Sequence, residues 1–351
     1  MIEHRNTQSW IARAALTGAL LAIVGACGAG ATTAPTSGAP SAPPASAPAP
    51  TAASTAAAPS AVATTTTAPS AAGKVLAWGD DGNGQTEVPP WLKNVVAIAT
   101  GDEFAVALQA DGTVGCWGAN DSGQTTPPAG LTGVVAIAAG SNHAIALKSD
   151  GTVVGWGNNV DGEIDIPKGL SGVVAIAAGG DHNYALKSDG TVVGWGVDFN
   201  GETDIPAGLH DVTAISAGYL WGLALLKDGT LVGWGDKYPT DTTKSYSTVP
   251  AGLTGVKAMS AGYYHNLVLK SDGTVVAWGE AGDGATTVPK GLTGVTAVAA
   301  GGNFSLALKS DGTVVGWGSK DTGGLTFSAD LKNVIAIDAG GDFALAIVRN
   351  P

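Results

Sequence analysis

The dipeptide Trp-Gly closes a short apolar run seven times in this chain, at Trp78, Trp117, Trp156, Trp195, Trp234, Trp278 and Trp317. Successive copies are 39 residues apart, except for one interval of 44. A second signature, a small residue followed by Gly, ends another apolar run at Gly101, Gly140, Gly179, Gly218, Gly262, Gly301 and Gly340. A fixed period of this length means one supersecondary unit copied in series, each copy burying its faces against its neighbours. Residues common to all copies build the scaffold. Residues that differ between copies are free to recognise something.

One copy runs Val173–Gly179, His182–Lys187, Ser188–Thr191 and Val192–Gly196, and closes with Glu202–Pro206. Its apolar runs are short, rich in Val, Ile and Ala, and bounded by Gly, Asp and Pro. Those are strand signals, because helices need longer runs. Ser-Asp-Gly-Thr between two runs reads as a hairpin turn in which Gly supplies the positive φ. Each copy is therefore expected to form three antiparallel strands, A to C, and a weaker fourth, D, ending near the Pro. Lys74–Gly79 is a C strand without its A and B, and Val334–Ala339 with Phe343–Val348 are A and B without their C. The expected fold is all-β: a seven-bladed β-propeller closed by pairing of the N- and C-terminal strands, which removes two open sheet edges.

Composition divides the chain into residues 1–26, 27–73 and 74–351. The first segment has a basic start, Arg5 and Arg13, and an uncharged run Ala14–Ala26. It reads as an export signal, too short and too rich in Ala and Gly for a spanning helix. Val24-Gly25-Ala26-Cys27 resembles the lipobox of bacterial lipoproteins, which implies lipidation at Cys27. A plain secretory signal with an incidental Cys27 is the alternative. The second segment is almost wholly Ala, Pro, Ser, Thr and Gly, a composition that buries no core and reads as a disordered tether. At about 3.1 Å per residue it would reach ~140 Å when extended. The chain is thus expected outside the cytoplasm, lipid-anchored to a membrane and facing the periplasm or the cell exterior.

The formal net charge of −12 argues against nucleic acid as a partner, since a protein that tracks phosphates is basic. Besides Cys27 only Cys116 is present, so no internal disulfide is expected. His143, His182 and His265 occupy the same position in separate copies and lack the local spacing of a metal or general-base site. No nucleophile elbow and no phosphate loop with Lys appears. The expectation is a monomeric protein without catalytic residues, metal or cofactor.

The motif Ala-Ile-Ala-Ala-Gly-x-x-His-x-x-Ala-Leu-Lys-Ser-Asp-Gly-Thr-Val-x-x-Trp-Gly resembles the regulator-of-chromosome-condensation repeat. The short period and the segment Trp78–Pro89 are similar to the branch containing the secreted bacterial propeller that inhibits β-lactamases. The resemblance implies a seven-bladed propeller and a non-enzymatic binding role, with aromatic residues of the A–B loops facing the bound enzyme. The nuclear member of the wider family implies guanine-nucleotide exchange, a reading that conflicts with an export signal.

Strand alternation puts the A–B and C–D loops on one face and the B–C hairpins on the other. The hairpins barely vary, whereas the loop face does. The third residue of every A–B loop is His or aromatic, which favours packing. Recognition is expected from Glu103, Asn142, Asp181, Tyr219, Leu220, Trp221, Tyr263, Tyr264, Asn303 and Asp342 of the A–B loops. Phe199, and Tyr238 and Tyr246 from the longer loop of blade four with its five extra residues, join them from the C–D loops. Aromatics provide contact area and acids provide steering, so the centre is expected on blades four and five, against a protein or glycan. The sharper alternative is inhibition of a β-lactamase or penicillin-binding enzyme.

Overall fold

The computed structural model describes residues 72–236, 245–280, 283–321, 323–326 and 331–350, all within the unit Ala57–Pro351. The segments expected to be an export signal and a tether, up to residue 71, and the residues Cys27 and Tyr238 lie outside the described residues.

The apolar runs form strands, as their length and punctuation require. The first, β1 (Gly73–Gly79), stands alone. Six triplets follow: β2–β4 (Val95–Thr100, Phe104–Gln109, Val114–Gly118), β5–β7 (Val134–Ala139, His143–Lys148, Val153–Gly157) and β8–β10 (Val173–Ala178, His182–Lys187, Val192–Gly196). Then come β11–β13 (Val212–Ala217, Trp221–Leu226, Leu231–Gly235), β14–β16 (Val256–Ala261, His265–Lys270, Val275–Gly279) and β17–β19 (Val295–Ala300, Phe304–Lys309, Val314–Gly318). The last two strands are β20 (Val334–Ala339) and β21 (Phe343–Arg349).

Five triplets are separate antiparallel sheets. The remaining triplet joins the chain ends in one sheet of order β20-β21-β1-β2-β3-β4. Strand β1 pairs with β21 at every residue from Gly73↔Arg349 to Gly79↔Phe343, while its link to β2 is the single pair Gly73↔Val95. The first strands of the units pack in sequence, β2 on β5, β5 on β8, β8 on β11, β11 on β14, β14 on β17 and β17 on β20, and β20 packs on β2.

The expected D strand is absent among the described residues, and the stretch to the Pro runs as turns instead. After β7 the N–H groups are consumed locally: Asp165 donates to Gly162 O (3.2 Å), Ile166 to Ile164 O (3.0 Å) and Leu170 to Pro167 O (3.0 Å). Groups bonded this way cannot form a ladder, and Pro has no N–H to offer.

The core lies between neighbouring sheets. Ala97, Phe104, Val106 and Leu108 of one unit meet Val134, Ile137 and Trp156 of the next, and the same arrangement recurs at each junction. The repeated Trp has a second use. Its Nε1–H donates to a carbonyl of the preceding unit's turn, as in Trp117 to Gln85 O (2.9 Å), Trp156 to Gln124 O (2.9 Å) and Trp234 to Glu202 O (2.9 Å). Trp78 makes the same bond to Gly324 O (2.9 Å), between the two ends of the chain. A buried indole needs such an acceptor, so the tryptophans belong to the scaffold.

A bulge after the first residue of each first strand, as between Val134 and Ala136, turns the second residue outward. That is why Val135 and Val174 are exposed in otherwise apolar runs. The hairpins are held by their Asp: Asp150 Oδ1 accepts from Thr152 N (3.0 Å) and Thr152 Oγ1 (2.6 Å), and the pattern repeats at Asp189, Asp272 and Asp311.

Candidate functional site

The repeated Gly of the A–B loops is a packing requirement at the axis. A Cβ at Gly140 would collide with Gly179 O, one at Gly179 with Gly218 O, and one at Gly340 with Gly101 O. From Asp102 through Gly302, the residue after the Gly continues the contact through backbone bonds. Asp102 N–H donates to Ser141 O (3.3 Å), Ser141 to Gly180 O (3.0 Å), Gly180 to Tyr219 O (3.2 Å) and Tyr219 to Gly262 O (3.2 Å). These loops surround a cavity of about 40 Å³. It has room for a few waters and is far too small for an ordinary ligand.

The third loop residues, Phe104, His143, His182, Trp221, His265, Phe304 and Phe343, are fully buried. Three of them bond to the next unit. His143 Nε2 lies 2.9 Å from Asn183 Oδ1, and Asn183 Nδ2 donates to Glu163 O (2.8 Å). Asn183 Oδ1 must therefore accept, which fixes the proton of His143 on Nε2. Trp221 Nε1 donates to Asn266 Oδ1 (2.8 Å), and His265 Nε2 to Ser305 Oγ (2.8 Å). Burial pushes the His182 pKa down to about 3 and that of His265 to about 4, so these rings are neutral. Among the described residues no three His, Cys, Asp or Glu side chains group as a metal site would need.

Trp221 is thereby corrected. Expected as an exposed contact, it has no exposed surface; it stacks on Tyr246 with centroids 4.7 Å apart and planes at 18°. Position three of the loop points into the sheet whatever ring occupies it. Tyr246 is half-buried by that stack, and its hydroxyl donates to Glu280 Oε2 (3.4 Å).

The structure does bring three tyrosines together. Tyr219 and Tyr263 have centroids 5.4 Å apart, and Tyr263 meets Tyr264 edge-on at 6.3 Å. Tyr264 is 40% exposed, and Tyr219, Leu220 and Tyr263 are half-buried beside it. The Tyr219 ring lies over Gly180 and the Tyr263 hydroxyl reaches Gly341, so glycine in those loops leaves room for the rings. Glu103, Asn142 and Asp342 are exposed, and Asp181 and Asn303 are half-buried. Phe199 is 78% exposed.

Asp102 is the residue that sequence reasoning passed over. Burial raises its pKa to about 7, opposed by the neighbouring Ser141 hydroxyl and reinforced by Asp181, Glu103 and Asp342. Asp181 is raised to about 6 by burial, then by Glu163, Asp161 and Glu202. Tyr219 is raised by burial and by the charges of Asp102 and Asp181. Ser141, Tyr219 and Tyr263 line the axial cavity, and Asp102 and Asp181 lie near enough to Tyr219 to act on its phenol. The first positions of adjacent loops hold Asp102 and Ser141, and of the two Ser141 lines the axial cavity.

Sheets that pack side by side around one axis, with loops converging on it, define an all-β protein of the propeller class. The regulator of chromosome condensation (RCC1) repeat matches residues 95–124, 134–163, 173–202, 256–285 and 295–323, so these segments resemble repeats of that family. No curated protein sequence matches it. Among solved structures it is similar to Prp20p of Saccharomyces cerevisiae, at 19% identity, TM-score 0.68, covering 82% of this chain and 94% of that one. Human WBSCR16 matches at 18% identity, TM-score 0.62, with coverages of 79% and 100%. The ectodomain of the Physcomitrella patens receptor kinase CR4 matches at 26% identity, TM-score 0.57, with coverages of 70% and 68%.

Proposed function

We propose that this chain is a non-enzymatic recognition module that binds protein through its loop face, displayed outside the cytoplasm on a lipid anchor at Cys27. The observation that carries the reading is the Tyr219–Tyr263–Tyr264 cluster beside Asp102 and Asp181. Clustered aromatics with a charged rim are the usual make-up of a protein-binding centre. The similar yeast protein was studied for binding to Gsp1p and histones, and its complex with Kap60 is known, so propellers of this fold serve protein partners. The Physcomitrella patens match is a receptor ectodomain, which supports an extracytoplasmic setting for such a propeller.

The scaffold proposed is a closed ring of seven blades. The full-length pairing of β1 with β21 and the packing of β20 on β2 support closure. The anchor rests on the Val24–Cys27 sequence alone. Labelling with palmitate, with Cys27→Ser as control, tests it. Nucleotide exchange is not proposed, because the signal-like N-terminus argues for export.

Capture of cell-surface proteins with the full chain tests the binding role. A specific partner should be retained by the parent and lost with Tyr219→Ala/Tyr264→Ala. Retention by both would remove the loop face from the reading. A second reading, inhibition of a β-lactamase or penicillin-binding enzyme, is favoured by the tyrosines of the A–B loops, the position at which the inhibitor branch faces its enzyme. Sub-micromolar inhibition of any enzyme in a broad panel supports it, and inhibition of none ends it.

A further inference from the structure

Charge is divided between the two ends of the strands. Among the described residues every Lys and Arg except Lys320 lies in a B–C hairpin, in the linker before a first strand, or within two residues of that end of a strand. Backbone bonds tie the linkers to the hairpins: Ala110 N–H donates to Asn94 O (2.9 Å), Ser149 to Gly133 O (2.9 Å), Ser310 to Gly294 O (2.8 Å) and Arg349 to Asn333 O (3.1 Å). The hairpin end thus carries twelve basic against seven acidic residues, a formal charge of +5. The rest of the described residues carry one basic against nineteen acidic, a formal charge of −18.

Four hairpin lysines are paired with the Asp of their own turn, as Lys187 is with Asp189 at 2.9 Å, and these pairs cancel. The excess stands in linkers and strand starts, where Lys93, Lys168, Lys257, Lys290 and Lys332 are exposed. The acids of the loop face do not offset it at a distance. A six-residue strand spans about 20 Å, whereas the Debye length is ~10 Å at 0.1 M salt. A charged surface lying against the hairpin end therefore meets the local +5 and not the charge of the whole chain.

The same end exposes apolar groups that the repeat does not require. Trp91 is 53% exposed and takes a linker position filled elsewhere by Gly130, Gly169, Gly208, Gly252 and Gly291. Its ring edge rests on Gly115, and Lys93 follows two residues later. Val135 and Val174, turned outward by the bulges, start adjacent first strands at this end. An exposed indole among lysines suits the headgroup level of a bilayer, where its ring and its N–H both find partners. The chain path agrees. Gly73 pairs with Arg349 and with Val95, so residues 1–71 join the described chain at this end.

We propose that the hairpin end is a docking surface for a membrane rich in anionic phospholipid. Lys93, Lys257, Lys290 and Lys332 meet the headgroup phosphates, and Trp91 enters the headgroup layer. The surface goes beyond the loop-face reading and needs neither a partner protein nor lipidation at Cys27. It turns the Tyr219–Tyr263–Tyr264 cluster away from the bilayer. One acyl chain holds a protein to a membrane only marginally, and a basic face is the kind of second contact that makes attachment stable.

The full chain carrying Cys27→Ser, which cannot be lipidated there, is sedimented with two kinds of vesicle. One is phosphatidylcholine alone, and the other an equal mixture with phosphatidylglycerol. Binding should be at least tenfold tighter to the mixture and should be lost in concentrated salt. Lys93→Gln/Lys290→Gln/Lys332→Gln should weaken it at least tenfold. Asp121→Asn/Asp161→Asn/Asp283→Asn, an equal and opposite change of charge on the loop face, should alter it less than twofold. Equal and opposite effects of the two triple variants would mean that net charge alone governs binding, and would overturn the proposal. The apolar run Ala14–Ala26 is the same in all these proteins and drops out of the comparison. Trp91→Ala should weaken binding at least threefold. If polyphosphate displaces the vesicles while Trp91→Ala binds them like its parent, the face is a general anion patch and the membrane assignment falls. Lysine acetylation reads the surface without these variants: mixed vesicles should slow modification of Lys93 and Lys332 at least threefold and leave Lys320 unchanged. Equal protection of all three sinks the idea. Capture of a protein partner through the tyrosines needs no vesicles, so either reading can fail while the other stands.

Discussion

Asp102→Asn should make this protein more stable at alkaline pH, although it removes a native side chain. The folded-state pKa of Asp102 is raised from 3.8 to about 7, chiefly by burial. The folded chain therefore binds this proton more tightly than the unfolded chain. Its contribution to stability is fully present below about pH 4 and is lost as pH rises towards 7 and beyond. At pH 8 the folded chain carries an ionised carboxylate where its surroundings disfavour it. A shift of that size corresponds to about 4 kcal/mol at ~1.4 kcal/mol per pH unit. Residual exposure of the side chain makes this an upper bound, and a gain of about 2–4 kcal/mol is expected.

Asn has the same shape and cannot ionise, so it removes the cost and can offer an N–H towards the Ser141 hydroxyl. For a domain of this size ~1 kcal/mol moves the melting temperature by about 2 °C, which predicts a rise of ~4–8 °C at pH 8. Thermal unfolding of parent and variant from pH 4.5 to 8.5 checks it. Asp181 and Asp338, raised to about 6, give both proteins a shared fall with pH, so the difference between the curves isolates Asp102. The curves should meet near pH 4.5 and separate above pH 6. Parallel curves, or a less stable variant at pH 8, would refute the reasoning.

Three other substitutions separate scaffold from surface. Trp221→Ala empties a fully buried site and breaks the bond to Asn266, so it should cost about 3–5 kcal/mol in urea unfolding, whereas Tyr264→Ala should cost less than ~1 kcal/mol. Gly140→Ala should cost more than ~2 kcal/mol, because its methyl meets the Gly179 carbonyl and the His143 ring, and thermal melts will show it. Cys116, pushed up to about 12 by burial, should resist iodoacetamide at pH 8 in the folded Cys27→Ser chain and react once urea is added.

The repeat made the scaffold legible because it lets the sequence be compared with itself. Positions that never vary, such as Trp-Gly and the hairpin Asp, proved to be bonds and contacts made in every unit. The weaker fourth strand expected before the Pro does not form among the described residues, because the amides there close local turns, as Asp204 N and Ile205 N do with Gly201 O and Thr203 O. Trp221 was misjudged for another reason. Its size drew attention away from its position, which is buried in every unit. A signal for this was available in the residue that follows the ring position of the next unit. That residue is Asn or Ser after His143, Trp221 and His265, and Ala after Phe104, Phe304 and Phe343. A ring with an N–H faces an acceptor in the neighbouring sheet, and a ring without one faces a methyl group. His182 departs from this pattern, because the next unit offers it Gly222.

The surroundings of the axial cavity could not be read that way, because their residues meet across units and not within one. Asp102 and Ser141 belong to adjacent loops 39 residues apart, and Tyr219 and Tyr263 to two others. Nothing in one copy shows whether its first loop residue lines that cavity. Once the loops are bonded in series, those residues become neighbours, and their differences acquire meaning. Two positions hold Tyr and three hold Gly, with the Tyr219 ring over Gly180 and the Tyr263 hydroxyl at Gly341. The glycines are therefore part of the proposed recognition surface although they have no side chain. They leave room for the Tyr219 ring over Gly180 and for the Tyr263 hydroxyl at Gly341.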